Sequence, residues 1–334
     1  MREPFDDADL AEYALATVAD PAPHLTARRR EQRARRRRRR IGLGIALVVA
    51  ASGVVFVLGG IDSHAPARPQ RVLVAGSPVP LRRAHRAAAD GLSAAMAAGN
   101  IEIRRLVAIG LPLYCGGPHG REIGFTFDDG PGVYTHLALR KLGQAHERAT
   151  FFDVGRSIEG WRGYVSRELG LAAIGDHTYT HPDLVALGPA EVTSELERTA
   201  QLIKAQSGER VDLWRPPYGA SDRAVAPIAR RLGLLETLWS VDSRDSLGAN
   251  WAAIIKNVEA GLRPGAIILM HENRGQTIRA LSALLPYLRR HHLRSVSIPE
   301  LLATDRPSLA QLRRGWGGCG EHLPPRGVSG LGAD

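Results

Sequence analysis

An alternation that starts near residue 122 and runs to residue 298 constrains this chain more than any other feature. Short apolar runs recur at 122–125, 149–155, 172–175, 211–214, 235–241, 266–270 and 294–298. Between them lie stretches with helical spacing, at 134–145, 161–169, 192–205, 222–232, 252–262 and 277–288. Strands that alternate with helices imply a parallel sheet, and this many units argue for a barrel-like closure. The expected fold class is therefore α/β, a (β/α) barrel. In such folds ligands sit at the carboxyl ends of the strands, so the residues that follow each run carry the functional reading.

Those endings are polar in five places. Thr126-Phe127-Asp128-Asp129-Gly130-Pro131 puts two adjacent carboxylates where a buried strand opens into a turn. Successive strand side chains point to opposite faces, so Asp128 and Asp129 are not both routine surface charge. Asp176-His177-Thr178-Tyr179-Thr180-His181 holds two histidines four apart, which on one face of a helical turn reach a single cation. Arg215-Pro216-Pro217-Tyr218-Gly219 stiffens the backbone behind an arginine whose fork suits a carboxylate. Trp239 to Asp245 brings further acids after a strand, and Ile268-Leu269-Met270-His271-Glu272 ends an apolar strand in His-Glu. Each has a bland counterpart: an Asp-Gly turn, a surface histidine pair, a structural salt bridge. Five polar endings on one rim are not independently bland. Two histidines and a carboxylate leave open positions for water and substrate, as a hydrolytic metal requires.

From about residue 115 to 302 the sequence resembles the NodB-homology polysaccharide deacetylases, the fourth carbohydrate esterase family, with all five motifs in order. The resemblance implies a distorted (β/α) barrel and a hydrolase that removes acetyl groups from polysaccharides with a divalent metal, usually zinc. It implies Asp128 as catalytic base, Asp129, His177 and His181 as metal ligands, and Arg215 as the residue orienting the base. It further implies a Tyr218 backbone amide at the oxyanion and Leu269 beside the acetyl methyl. His271 is the implied general acid, tuned by Asp245. Two positions depart from the family pattern: Asp176 stands where Asn is usual, and Ser246 where a groove-lining Trp is usual. The expected substrate is an N-acetylated cell-envelope glycan, peptidoglycan first, chitin-type oligomers second and O-acetylated xylan third. The rival reading is a catalytically silent, membrane-tethered glycan-binding module.

The N-terminal third reads differently. Residues 1–40 hold eleven arginines, six of them unbroken from Arg35 to Arg40, against a whole-chain net charge of +10. That run abuts an uncharged apolar stretch at 41–60, and twenty residues at ~1.5 Å each make ~30 Å of helix, the thickness of a hydrocarbon core. The expectation is a cytoplasmic basic tail (1–40), a single transmembrane anchor (41–60) and a linker with a stalk helix (61–105). A catalytic domain (106–320) outside the cytoplasm and a short tail (321–334) complete the chain. A cleaved signal peptide is the alternative to the anchor, and ranks second because its apolar region is normally only ~7–15 residues. The arginine run then serves topology and anionic lipid rather than nucleic acid. The stalk helix is expected at 81–98, stopped by Gly99-Asn100. The chain has two cysteines, Cys115 and Cys319, at opposite ends of the domain. In a reducing compartment they read as unrelated thiols, and outside the membrane as a disulfide.

Overall fold

A computed structural model of the chain describes residues 81–320. The expected basic tail, the anchor at 41–60, the first part of the linker and the C-terminal tail lie outside the described residues. Among the described residues no helix is long and apolar enough to cross a membrane. The strands are β1 (Glu122–Gly130), β2 (Ala149–Asp153), β3 (Ala172–Asp176), β4 (Leu213–Trp214), β5 (Leu235–Glu236), β6 (Val241–Asp242), β7 (Ile267–His271) and β8 (Arg294–Ser295). The helices begin with α1 (Leu81–Ile109), α2 (Thr135–Ala145), α3 (Gly155–Gly160), α4 (Tyr164–Glu168) and α5 (Pro189–Ser207). They continue with α6 (Ala226–Arg231), α7 (Trp251–Glu259), α8 (Gly275–Arg290), α9 (Ile298–Thr304) and α10 (Leu309–Arg313).

All strand pairs are parallel, in the order β5-β4-β3-β2-β1-β7-β6, with β8 against the start of β1. Parallel strands covered on both faces read as near-continuous apolar runs, and β1, β2, β3 and β7 show that pattern. Alternation along the strands divides the apolar residues into two cores. Ile123, Phe125 and Phe127 face outward beneath the helices, together with Phe151, Ile268 and Met270. Phe152, Ile267 and Leu269 face inward and meet Ile103, Leu106 and Ile109 of α1 and Ile298 and Leu301 of α9.

The expected single strand at 235–241 is split. Its start pairs with β4 as β5 and its end pairs with β7 as β6, and the residues between cross from one sheet edge to the other. The ladder is thus a curved half-barrel whose edges are joined covalently rather than by strand pairing. Arg215 fills the crossing: Nε and Nη2 donate to the carbonyls of Thr237 (2.9 Å) and Leu238 (3.0 Å). Those carbonyls would otherwise be buried without a donor.

Three further expectations are corrected. The helix at 81–98 does not stop at Gly99-Asn100 but runs on as α1 to Ile109, through the expected boundary between residues 105 and 106. A β-carbon at Gly99 would collide with the Pro299 carbonyl, so this glycine permits close helix packing rather than ending a helix. The strand at 294–298 ends at Ser295, because Ser297-Ile298-Pro299-Glu300 starts α9. Glu300 Oε2 accepts the Ser297 backbone N–H (2.9 Å) and hydroxyl (2.6 Å), and proline sits in the first turn. The helix at 161–169 shortens to α4, preceded by α3, which the sequence reading did not anticipate.

Candidate active site

The site is assembled from the carboxyl ends of β1, β3, β4 and β7. Thr126 and Asp128 face inward on β1, in register with Leu269 and His271 of β7. In a regular strand Asp129 would point away from Asp128. The register of β1 against β2 instead shifts between Asp128 and Gly130, and Asp129 takes φ 72°. A bulge of this kind re-aims one side chain, here turning Asp129 back toward the same rim as Asp128. Left-handed backbone recurs at Thr178 (φ 67°), His181 (φ 60°) and Tyr218 (φ 64°). Such conformations cost on the order of 1–3 kcal/mol each in non-glycine residues and cluster where geometry is dictated by function.

His177 and His181 do meet, but not on a helical turn. They lie on a loop after β3 whose donors are taken up by side chains. The Thr178 N–H donates to Asp176 Oδ1 (2.7 Å), and the Thr180 N–H and hydroxyl donate to Glu195 of α5 (2.7 and 2.8 Å). His177 is tied through Nδ1 to the Arg215 carbonyl (2.7 Å), and His181 through Nδ1 to the Tyr218 hydroxyl (3.1 Å). Both Nε2 atoms are thereby directed at Asp129 Oδ1, at 3.7 Å from His177 and 3.2 Å from His181. Asn273 Nδ2 donates to the other oxygen, Asp129 Oδ2 (3.1 Å).

These three residues fit a metal. Their donor atoms all lie within 4.8 Å of one another. Four-coordinate zinc at ~2.0–2.1 Å from its ligands sets them roughly 3.3 Å apart, close to the spacing seen. Protonation suits it too. Burial lowers the His177 pKa to about 4, which keeps the imidazole neutral. Burial alone would raise Asp129, but the His181 hydrogen bond and the neighbouring imidazoles hold it far below the usual carboxylate range. Anchoring each imidazole through its second nitrogen is the arrangement that orients a ligating histidine.

Asp128 stands beside this triad, Oδ2 lying 3.7 Å from His177 Nε2. Arg215 Nη1 donates to Asp128 Oδ1 and to Thr126 Oγ1, each at 2.7 Å, and the Thr126 hydroxyl in turn donates to the Ile268 carbonyl (2.6 Å). The guanidinium is fully buried, over the rings of Phe152 (4.1 Å) and Trp239 (5.7 Å). Opposite, Asp245 holds His271 twice: Oδ2 accepts its backbone N–H and Oδ1 meets Nδ1, both at 2.7 Å. The Thr277 hydroxyl (2.6 Å) and the Ser246 N–H (2.7 Å) complete the carboxylate. Burial pulls the His271 pKa down, but Asp245's charge and hydrogen bond more than reverse this, to about 9.

Leu269 is buried on the inward face next to these groups. Asp176, in the usual asparagine position, is fully buried; burial drives its pKa well up, toward the neutral acid, which has the shape of an asparagine side chain. Ser246 is the middle residue of the short turn Asp245–Leu247. Cys115 and Cys319 form a disulfide across 204 residues of sequence. Sequence reasoning passed over Thr126, Asn273 and Thr277. Thr126 and Thr277 were visible only as polar residues inside apolar patterns, and Asn273 only as one more polar residue after the His-Glu ending.

The chain matches the family described as polysaccharide deacetylase over residues 116–236, a span that takes in Asp128, Asp129, His177, His181, Arg215 and Tyr218. It is 32% identical over 197 residues to a peptidoglycan-N-acetylglucosamine deacetylase of Bacillus cereus, covering 57% of this chain and 72% of that one. It is 33% identical to a chitooligosaccharide deacetylase of Bradyrhizobium sp., covering 54% and 90%. The solved structure of a peptidoglycan N-acetylglucosamine deacetylase bound to a naphthyl-benzamide superposes with a TM-score of 0.55 at 31% identity, over 57% of this chain and 92% of that one. A pseudoenzyme of the same esterase family, from Bacillus anthracis, superposes at 0.54 with 28% identity, over 57% and 68%. With two curated relatives matched at this identity over most of their own length, the chain belongs to the NodB-homology polysaccharide deacetylase family.

Proposed function

We propose that this chain hydrolyses N-acetyl groups of a cell-envelope glycan, peptidoglycan first, with a divalent metal of the zinc class held by Asp129, His177 and His181. The observation that carries the reading is the pairing of Asp128 and His271 across the β1–β7 ladder, one fixed by Arg215 and the other by Asp245. A bound metal supplies Lewis acidity at the acetyl carbonyl and makes water a better nucleophile. Asp128 Oδ2 is the free oxygen of a carboxylate whose partner oxygen is fixed, placed to accept the proton of the attacking water. His271, protonated through Asp245, delivers its proton to the departing amine nitrogen, so the carbon–nitrogen bond breaks without expelling an amide anion. The left-handed turn at Tyr218 presents backbone at the rim, where a developing oxyanion needs donors. Leu269 offers an apolar surface for the acetyl methyl.

The arginine run and the apolar stretch at 41–60 support a membrane tether with the domain outside the cytoplasm, and protease added to intact cells should then digest the domain. Acetate release from purified peptidoglycan, N-acetylglucosamine oligomers and O-acetyl xylan, with and without a chelator, tests the activity. The expected result is metal-dependent release from peptidoglycan. Release from xylan alone points to an esterase, and none from any substrate, with metal bound, to a silent glycan-binding module.

A further inference from the structure

Three more carboxyls lie on the other side of the same strand ends. Asp153 ends β2 one residue after inward-facing Phe152, and Glu272 follows His271 of β7, so both point outward beneath the helices. Glu168 comes down from α4 to meet them. One carboxylate oxygen from each lies within 4.8 Å of the others, and all three residues are fully buried. No donor among the described residues reaches any of the six oxygens in hydrogen-bonding geometry. Thr135 comes nearest to Glu272; its hydroxyl accepts the Gly132 N–H (2.7 Å), and its one proton is enough for a single oxygen of the six. A second observation shows that two of these carboxyls are held close against the end of β1. A β-carbon at Gly130 would collide with Glu272 Oε1 and lie 3.1 Å from Asp153 Oδ1, although Gly130 does not have positive φ. The glycine is needed here for room, not for backbone freedom.

Three buried carboxylates with at most one hydroxyl donor and no cationic side chain do not stay ionised unaided, because each buried charge carries a desolvation cost of several kcal/mol. We propose that Asp153, Glu168 and Glu272 form a second metal site, selective for a hard divalent cation such as calcium and separate from the histidine-containing site. All-oxygen donors suit calcium, magnesium or manganese over zinc. Three carboxylates offering up to six oxygens favour calcium, which accepts bidentate carboxylates where magnesium keeps several waters. The ion would brace the site from behind. The Glu272 N–H donates to the Asp128 carbonyl (3.2 Å), the Asp153 carbonyl accepts the His177 N–H (2.9 Å), and the Gly130 carbonyl accepts the Val154 N–H (2.8 Å). One cation would therefore fix the ends of β1, β2 and β7 and the first ligand histidine together.

The test separates this site from the catalytic one. Full-length protein carrying both His177→Ala and His181→Ala is purified from medium supplied with calcium, magnesium and manganese, and its metal content is measured by atomic emission. The expected result is about one hard divalent cation per chain that survives gel filtration, with zinc absent. Adding Glu168→Gln or Asp153→Asn to this background should remove the ion and with it any rise in melting temperature on adding calcium. A folded double-histidine variant with none of the three cations, and no thermal response to them, overturns the proposal and leaves a cluster of carboxyls sharing protons. If the cluster variants do not fold, the metal content of the double-histidine protein decides alone. Loss of deacetylase activity does not bear on this outcome, so failure here and failure of the proposed reaction are distinguishable.

Discussion

The two acid clusters of this fold lie at the same end of one sheet, where His271 of the rim and Glu272 of the buried cluster are consecutive residues, yet they differ in kind. At the rim, each carboxylate has its donors: Asp128 meets Arg215, Asp129 meets Asn273 and His181, and Asp245 meets His271, Thr277 and Ser246. Beneath the helices, Asp153, Glu168 and Glu272 face one another with only the Thr135 hydroxyl nearby among the described residues. The difference follows from strand alternation: His271 turns inward to a polar rim and Glu272 outward to an apolar layer. Identical side chains are thus made reactive on one face and held in a closed pocket on the other. A carboxylate at a strand end acquires its role from the face it occupies.

The largest effect expected from testing that contrast is at the rim. Asp128→Asn keeps size but removes the proton-accepting oxygen, and general-base assistance is typically worth ~10²–10⁴-fold in rate. The turnover number should fall by about that much with metal content unchanged and KM little altered. Asp129→Asn should instead lower metal content and recover part of its activity in excess zinc. If Asp128→Asn emptied the site and Asp129→Asn did not, the roles of the pair would be exchanged.

A smaller effect isolates Asp245. His271 must carry a proton to act as an acid, and its pKa is raised to about 9. Activity should therefore persist below that value and fall as pH rises through it. Asp245→Asn removes the cause of the increase while burial remains, so the alkaline limb of kcat should move to lower pH by a unit or more. A limb that stayed near 9 would show that another group sets it.

The smallest effect sharpens the contrast from the buried side. Gly130→Ala should destabilise by roughly 1–3 kcal/mol, the usual range for overpacking, because the new methyl meets Glu272. Glu272→Ala should relieve that clash, so a double-mutant cycle by denaturant unfolding should give clear coupling between the two positions. Additive changes would mean that Gly130 is constrained by something other than this carboxylate.

Much of the rim was legible because strand-end residues keep their order when a parallel sheet forms. Asp128, His177, Arg215, Asp245 and His271 each follow an apolar run, and the ladder then brings them together. Features that depend on contacts between distant segments were not legible. Nothing near Gly99 announces that it will lie against Pro299, so its local signal read as a helix stop. The histidine pair suggested a helical turn because four-residue spacing is shared by helices and by loops with two left-handed residues. Glu168 sits on a short helix with no pattern of its own, and only the packing of α4 on the sheet gives it Asp153 and Glu272 as neighbours. The division of residues 235–241 into two strands depends on both sheet edges at once, which no local window contains.

Arg215 does two jobs with one side chain, and this limits how the family's chemistry can be lost or altered in this chain. The guanidinium that holds Asp128 also supplies the donors that the gap between the sheet edges lacks. A lineage relieved of selection for catalysis could exchange Asp128 for a polar residue that still accepts from Nη1, but Arg215 would still be needed at the crossing. An intact arginine in a descendant sequence would therefore report on its architecture rather than on its activity, and relatives are better sorted into active and silent by the residues that Arg215 serves.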